Sequence, residues 1–148
     1  MKAEGGVYHR KGLTINQLSV GQSYEKRFAI TAELIERFAE VTGDHNPIHL
    51  NEQYASKSIF KQRVAQGMLQ AGLLSGILGC HLPGVGTIYL SQTLKFIKPI
   101  FIEDQITLRL EILEINSEKN NIRLETLITN QKGEVVITGE ALVKPPPE

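Results

Sequence analysis

Residues 64–82 are almost entirely apolar and yet contain four glycines, and this segment constrains the fold more than any other. Each glycine costs a helix about 1 kcal/mol relative to alanine, which an exposed helix would not tolerate. A helix buried on nearly all sides can accept small residues because they let neighbouring backbone come close. A buried strand is the alternative, but the segment is much longer than a usual strand. The pattern therefore favours a buried helix.

Beyond a turn at residues 81–86, the apolar residues no longer recur at helical spacing but at every second position. Short links rich in turn residues, 117–120 and 131–133, separate the later segments, and Pro145 ends the last one. This pattern predicts four strands in an antiparallel meander after the helix, an α+β arrangement. The residues expected to share one face in each strand are Ile88, Leu90, Leu94 and Phe96; Ile106, Leu108, Leu110 and Ile112; Ile122, Leu124 and Ile128; and Val135, Ile137, Ala141 and Val143.

The first part of the chain predicts one strand and one amphipathic helix. Residues 24–30 favour a strand, and apolar residues then recur at helical spacing from Leu34 to Val41. Thr31 is a good N-cap, and Gly43 lies where glycine commonly ends a helix. Residues 44–61 lose this periodicity and are expected to form an ordered loop with at most a helical turn at 52–58. Residues 1–12 predict a loose arm on a single domain spanning 1–148.

Composition excludes several classes of protein. The 16 basic and 16 acidic residues cancel, so the chain lacks the excess positive charge expected of a nucleic-acid binder. No apolar segment is long enough to span a membrane, and the N-terminus shows no signal-peptide pattern. The single cysteine, Cys80, excludes an internal disulfide framework and fits a reducing compartment, so we expect a cytoplasmic protein.

Asp44 and His49 are the candidate reactive side chains. They lie in a segment stiffened by Pro47, which can present a carboxylate and an imidazole with little freedom. Acid–base chemistry on a neutral substrate needs a proton acceptor and donor near one water. The alternative is that Asp44 and Asn46 only satisfy the turn backbone and that His49 packs. His45 and His49 have the spacing of a helical metal pair, but no other ligands complete a set, so no metal is expected.

Gly67 is a candidate for binding negative charge. It lies at the predicted start of the buried helix, where the backbone N–H has no partner within the helix and the helix dipole is positive. A glycine there also allows close approach of a substrate. The alternative is that it only permits a tight turn, and the two roles are compatible.

Several segments in order resemble one known family. The central motif is Gly43-Asp44-His45-Asn46-Pro47-Ile48-His49 with Ala55 beyond it, and it resembles the hydratase-2 motif of MaoC-like, (R)-specific enoyl-CoA hydratases. Residues 63–69, the glycine-rich helix, 82–84, 96–100 and 136–144 are similar to the same family. The resemblance covers roughly residues 13–144 and is strongest to the short hydratases with a single hotdog domain.

The resemblance implies a hotdog fold, in which an antiparallel sheet wraps around a long central helix. Pairing of two sheet edges would remove an exposed edge, so a homodimer is expected. The implied activity is that of a hydro-lyase, a hydratase or dehydratase of fatty-acid or polyhydroxyalkanoate metabolism. It would add water reversibly to a trans-2-enoyl thioester of coenzyme A, or of acyl carrier protein, to give the (R)-3-hydroxyacyl thioester. No cofactor is implied.

The resemblance also assigns roles to individual residues. Asp44 and His49 would hold and activate the water, with Asp44 as the principal base, and Asn46 would orient the pair or the loop. The Gly67 N–H would stabilise the thioester oxyanion. Many relatives have histidine where this chain has Gln66, which puts a substrate or dimer contact of that side chain in doubt.

Weaker candidates have structural alternatives. Ser75 is expected to be a core hydroxyl bonded to its own helix, with a contact near the site as the alternative. Leu78 and Val143 would limit the acyl pocket or simply pack in the core. Three basic residues could meet coenzyme A phosphates or be solvated surface charges, namely Lys57, Lys61 and Arg63.

Two other functions remain open at this point. A hotdog thioesterase would hydrolyse the thioester instead of hydrating the double bond. A non-catalytic hotdog would bind acyl thioesters without turnover. Binding alone does not require a carboxylate and an imidazole, so the presence of Asp44 and His49 argues against the second alternative.

Overall fold

The computed structural model describes residues 10–148, and within them the chain forms four α-helices and six strands. The helices are α1 (Ala32–Thr42), α2 (Pro47–Leu50), α3 (Glu52–Ser56) and α4 (Gly67–Cys80). The strands are β1 (Ser23–Ala29), β2 (Ile88–Gln92), β3 (Lys95–Phe96), β4 (Gln105–Asn116), β5 (Asn121–Thr129) and β6 (Val135–Lys144). No helix among residues 10–148 is long and apolar enough to cross a membrane.

The strands form one antiparallel sheet in the order β1-β4-β5-β6-β2, and β3 also pairs with β6. Only β4, β5 and β6 are a meander, joined by the two predicted turns. The predicted four-strand meander is therefore wrong in its first member. The link from β3 to β4 is longer and contains Pro99, so the chain crosses to the far side of β5 instead of forming a hairpin.

The hydrophobic core lies between the sheet and α4. The alternating residues of β4 and β5 are buried as predicted, for example Leu108 and Leu124, both fully inaccessible. They belong to one cluster with Leu74, Ile77 and Leu78 of α4. The sheet thus covers one side of the long helix, which is the hotdog arrangement expected from the sequence.

The helix is confirmed, but it is not buried on nearly all sides, because one of its faces has no partner within the described chain. Met68 is 57% exposed, and Gly72, Ser75 and Gly76 are exposed with it. The expectation that Ser75 is a core hydroxyl is therefore wrong. The glycines cluster on the face that this sheet does not cover.

The residues expected to share one face of a single strand, 88–96, instead span β2, β3 and the link between them, and most of the apolar ones are exposed. Ile88, Leu90 and Phe96 are 58%, 44% and 53% exposed. A bulge between Tyr89 and Ser91 interrupts the alternation, and β2 is an edge strand whose outer side pairs with no strand of residues 10–148. Ile88, Leu90 and Phe96 therefore lie outside the core of the described chain, whereas Tyr89 and Leu94 pack against it.

The predicted ends of α1 are confirmed. Thr31 accepts a hydrogen bond from the Leu34 N–H at 3.2 Å, and Gly43 ends the helix with φ at 77°. The predicted loose arm falls mostly outside the described residues. Its last residue, Gly12, is held to the turn after α4 by a hydrogen bond from its N–H to the Val85 carbonyl at 2.8 Å.

Candidate active site

A short segment between α1 and α2 presents the candidate dyad, and its conformation is fixed by side chains bonded to nearby backbone. The Asp44 N–H donates to Thr42 Oγ1 at 3.2 Å, and Asp44 Oδ1 accepts from the Asn46 N–H at 3.3 Å. Asn46 Oδ1 in turn caps α2 by accepting from the Ile48 N–H at 3.2 Å. Asp, Asn and Thr side chains commonly stabilise turns and helix starts in this way. The segment therefore holds Asp44 with little freedom.

The expectation that residues 44–61 form a loop is only partly right. The chain forms two short helices there, α2 and α3, and α2 begins at Pro47. Proline is compatible with the first position of a helix because its missing N–H would have no partner there anyway. Pro47 thus starts a helix and places His49 two residues later, in its only turn.

Asp44 and His49 lie close enough to share one water. Asp44 Oδ2 is 3.8 Å from His49 Nε2, and the side chains are 41% and 13% exposed. A water can bond to both atoms at the usual ~2.8 Å. His49 Nδ1 lies 2.7 Å from the Val64 carbonyl, which can only accept, so Nδ1 carries a proton. In the neutral imidazole, Nε2 is then an acceptor on the side of the carboxylate.

Gly67 is the first residue of α4, and its amide has no acceptor among residues 10–148. It lines a cavity of about 480 Å³ whose walls are mostly apolar. The ring of Phe96 covers Gly67 so closely that a Cβ there would lie 2.5 Å from Phe96 Cε1. Any larger residue at this position would therefore have to displace the Phe96 ring. The other residues of the cavity wall are Phe60, Val64, Ala65, Met68, Gln70, Ile97, Lys98, Pro99, Ile100 and Ile137.

Val64 connects the dyad to this cavity. Its carbonyl binds His49 Nδ1, and the residue itself lines the cavity three positions before Gly67. Ala65, the next residue, donates its N–H to the Ile100 carbonyl at 2.7 Å. The segment that leads into α4 is thus held by the opposite wall of the cavity.

A second cavity of about 590 Å³ lies between the end of α1, the exposed face of α4 and β2. Met68 lines both cavities. The Tyr89 hydroxyl donates to Gln92 Oε1, and Gln92 donates to Thr126 Oγ1 at 2.9 Å. Burial raises the pKa of Tyr89 to about 12, so its phenol is neutral at ordinary pH.

The weaker candidates from the sequence lie at different places in the fold and do not form one site. Gln66 is 2% exposed and donates its side-chain N–H to the Ile35 carbonyl at 3.0 Å, so it joins α4 to α1. Leu78 and Val143 are buried in the core cluster and line neither cavity. Lys57 and Lys61 are exposed.

The expectation that Arg63 is a solvated surface charge is wrong. Its side chain is only 10% exposed, and Nε donates to the His49 carbonyl at 2.7 Å. Neither this contact nor the position of Phe96 over Gly67 could be found from the sequence. The sequence pattern marks Arg63 as a charge and Phe96 as a residue of an alternating strand, and neither pattern indicates these contacts. Within residues 10–148, no three His, Cys, Asp or Glu residues cluster as metal ligands.

Known proteins resemble this chain over most of its length. The family model described as "MaoC like domain" matches residues 16–134. The (R)-specific enoyl-CoA hydratase of Aeromonas caviae is 40% identical, over 90% of this chain and all of that protein. The 3-hydroxybutyryl-CoA dehydratase of Methylorubrum extorquens is 42% identical, over 90% of this chain and 85% of the relative.

A solved structure gives the same result. The unliganded R-hydratase of Pseudomonas aeruginosa superimposes with a TM-score of 0.89 at 42% identity, over 93% of this chain and 88% of that one. The family match spans well over half of the chain, and the curated relatives exceed 30% identity over most of their own length. This chain therefore belongs to the MaoC-like dehydratase family.

Proposed function

We propose that the chain is an (R)-specific enoyl-CoA hydratase, a hydro-lyase that interconverts trans-2-enoyl-CoA and (R)-3-hydroxyacyl-CoA. The observation that carries this proposal is the 3.8 Å separation of Asp44 and His49. The two side chains do not line the cavity at Gly67, but the Val64 carbonyl that binds His49 Nδ1 belongs to a residue of its wall. Hydratase and dehydratase relatives of similar length support the same reaction.

In the proposed reaction, one water lies between Asp44 Oδ2 and His49 Nε2. The Asp44 carboxylate takes a proton from the water as its oxygen bonds to the β-carbon of the enoyl group. The electrons of the double bond move onto the thioester oxygen, where the Gly67 N–H and the positive end of the α4 dipole stabilise the charge. The proton is then returned to the α-carbon, and the enzyme regains its starting state.

The substrate fits the walls of the cavity. They are mostly apolar side chains, which suit an acyl chain, with the Gly67 amide as a polar group to orient the carbonyl. Asn46 has a supporting role because it caps the helix that carries His49. Because no observation favours hydrolysis of the thioester or binding without turnover, these become outcomes of the test.

The test is the loss of enoyl absorbance when purified protein is mixed with crotonyl-CoA. We expect hydration to the (R)-product, identified with an (R)-specific 3-hydroxyacyl-CoA dehydrogenase. Asp44→Asn and His49→Ala should each lower kcat by about 10²- to 10⁴-fold, the usual contribution of acid–base catalysis. Glu40→Gln is the matched control, since it removes an exposed carboxylate from α1 near the same segment.

Other results would contradict the hydratase assignment. Release of free thiol without loss of the double bond would indicate a thioesterase. Binding of acyl-CoA with no turnover at several chain lengths would indicate a binding protein.

The unpartnered surface of α4 and β2 supports a homodimer. Met68, Ile88 and Leu90 are about half exposed, and they adjoin the free edge of β2 and the small residues of α4. A second copy that pairs its own β2 and α4 with this surface would cover the apolar residues and the open edge together. We propose this arrangement for the active protein.

Light scattering after size-exclusion chromatography should give twice the 16.5 kDa mass of one chain. Leu90→Lys should shift the protein toward monomer, whereas Val20→Lys, another exposed apolar residue, should not. A monomer at micromolar concentration in the unmodified protein would contradict the proposal.

A further inference from the structure

Arg63 lies where α1, α2 and α3 converge beside the candidate dyad. Its Nε donates to the His49 carbonyl at 2.7 Å. Nη1 is 3.7 Å from Glu52 Oε1 and Nη2 is 3.9 Å from Glu36 Oε1. The hydrogen bond to His49 is therefore the only short contact of the guanidinium among the described residues.

The two ion pairs do not compensate for burying this charge. Both carboxylates are more than half exposed, and exposed pairs at such distances contribute little to stability. Nη2 is shielded from solvent and has no hydrogen-bond partner in the described chain. A buried donor without a partner is unfavourable, so stability alone does not explain this side chain.

The His49 carbonyl needs a partner because α2 is a single turn. Four residues do not form a stable helix alone. The last carbonyls of a helix accept no hydrogen bond from an N–H of the same helix, so they need a partner outside it. Three hydrogen bonds join residues 63–64 to residues 48–49, and we call them the 63–64 clamp. They run from Arg63 Nε to the His49 carbonyl, from the Val64 N–H to the Ile48 carbonyl at 3.3 Å, and from His49 Nδ1 to the Val64 carbonyl.

We propose that Arg63 is a positioning residue for hydration, which acts through His49 rather than on the substrate. It fixes the His49 backbone so that the imidazole keeps its Nδ1–H on Val64 and its Nε2 toward Asp44. Arg63 thereby holds the distance across which the water is shared. This inference rests on the proposed hydratase function and deepens it, and it replaces the expected contact of Arg63 with coenzyme A phosphates.

The test compares Arg63→Met with Arg37→Met in the full-length protein. Methionine keeps an apolar stem but removes every donor, and Arg37 is an exposed arginine paired with Glu33 on α1. Each variant is assayed with crotonyl-CoA and with the crotonyl thioester of N-acetylcysteamine, which has no phosphates. We expect R63M to lower kcat about 10- to 100-fold on both substrates with KM within about twofold, and R37M to behave as the unmodified protein.

A second variant and a spectroscopic readout keep the test decisive if R63M folds poorly. Arg63→Lys keeps the charge but not the planar fork, so its kcat should lie between those of R63M and the unmodified enzyme. Nitrogen NMR of the imidazole should show His49 as the Nδ1–H tautomer in the unmodified protein and as a mixture in R63K and R63M.

Two outcomes would overturn the proposal. One is a loss confined to crotonyl-CoA and expressed in KM, which would make Arg63 a phosphate ligand. The other is a His49 tautomer and a kcat that do not change in either variant. If the unmodified protein has no hydratase activity, the proposed function is contradicted instead. The His49 tautomer in R63K and R63M would still show whether Arg63 positions His49.

Discussion

Replacement of Gly67 by alanine tests the proposed oxyanion site most directly. The new Cβ would lie 2.5 Å from Phe96 Cε1, whereas ordinary contacts begin near 3.4 Å, so the ring edge must move by about 0.9 Å. Phe96 is 53% exposed and can swing aside, so folding is little affected. Alanine is also the better helix former, by up to about 1 kcal/mol. We therefore expect the free energy of unfolding to change by less than about 1 kcal/mol.

Activity should respond much more strongly. The methyl group would occupy space beside the amide where the thioester oxygen must approach. Loss of one oxyanion donor commonly lowers kcat by about 10²- to 10³-fold, so we expect kcat/KM of G67A for crotonyl-CoA to fall by at least ~10²-fold. Glu40→Gln, an exposed substitution on α1 away from the cavity and from the proposed dimer surface, is the control. It should keep the activity of the unmodified enzyme.

A double variant separates the two possible causes of the loss. Phe96→Ala removes the ring, so G67A/F96A relieves the collision but leaves the methyl beside the amide. We expect the double variant to stay as impaired as G67A. Recovery of activity would show that the ring position carries the effect, and it would refute the oxyanion role of Gly67, as would a G67A variant with unchanged kcat/KM.

Three further expectations concern stability and ionisation. Leu124→Ala should lower the free energy of unfolding by about 2–5 kcal/mol in denaturant titrations, because Leu124 is fully buried in the core, whereas a loss below ~1 kcal/mol would contradict that packing. Thr31→Ala should cost about 1 kcal/mol by removing the N-cap of α1, and Thr31→Ser should restore most of it. Spectrophotometric titration should show one tyrosine with a pKa near 12 that disappears in Tyr89→Phe. Because the folded pKa is raised, Tyr89 should make stability fall as pH rises from about 10 to 12, and a stability that is flat over this window in the unmodified protein would contradict its burial.

Strands β4, β5 and β6 could be predicted because their alternation has a local cause. Each buries one face against a helix of the same chain, as the full burial of Leu108 and Leu124 shows. The shared face predicted for residues 88–96 is wrong because Ile88 and Leu90 lie exposed on an edge strand, whereas Leu94 packs against the core cluster. Alternation shows that one face avoids water, but it does not show which molecule covers that face.

The sequence indicates which residues of the candidate site could react, but not which residues hold them in position. Asp44 and His49 are marked by a motif, and Gly67 by the start of a glycine-rich helix. Residues 44–51 are expected to be a loop, yet Pro47 occupies the first position of α2, where proline is compatible with a helix. Arg63 could not be interpreted from sequence, because its burial depends on three separate helices meeting around one side chain.

The proposed reacting groups and much of the cavity wall come from different parts of the chain. Asp44, His49 and Gly67 all precede the middle of α4, while residues 96–100 and Ile137 supply walls from the second half. Substitutions in the second half of the chain can therefore change the shape of the cavity. Changes at Phe96 or Ile100 would also disturb the start of α4, because Phe96 covers Gly67 and the Ile100 carbonyl binds the Ala65 N–H. If the cavity holds an acyl chain as proposed, its remaining wall residues are the positions at which chain-length preference can change with least effect on the oxyanion site.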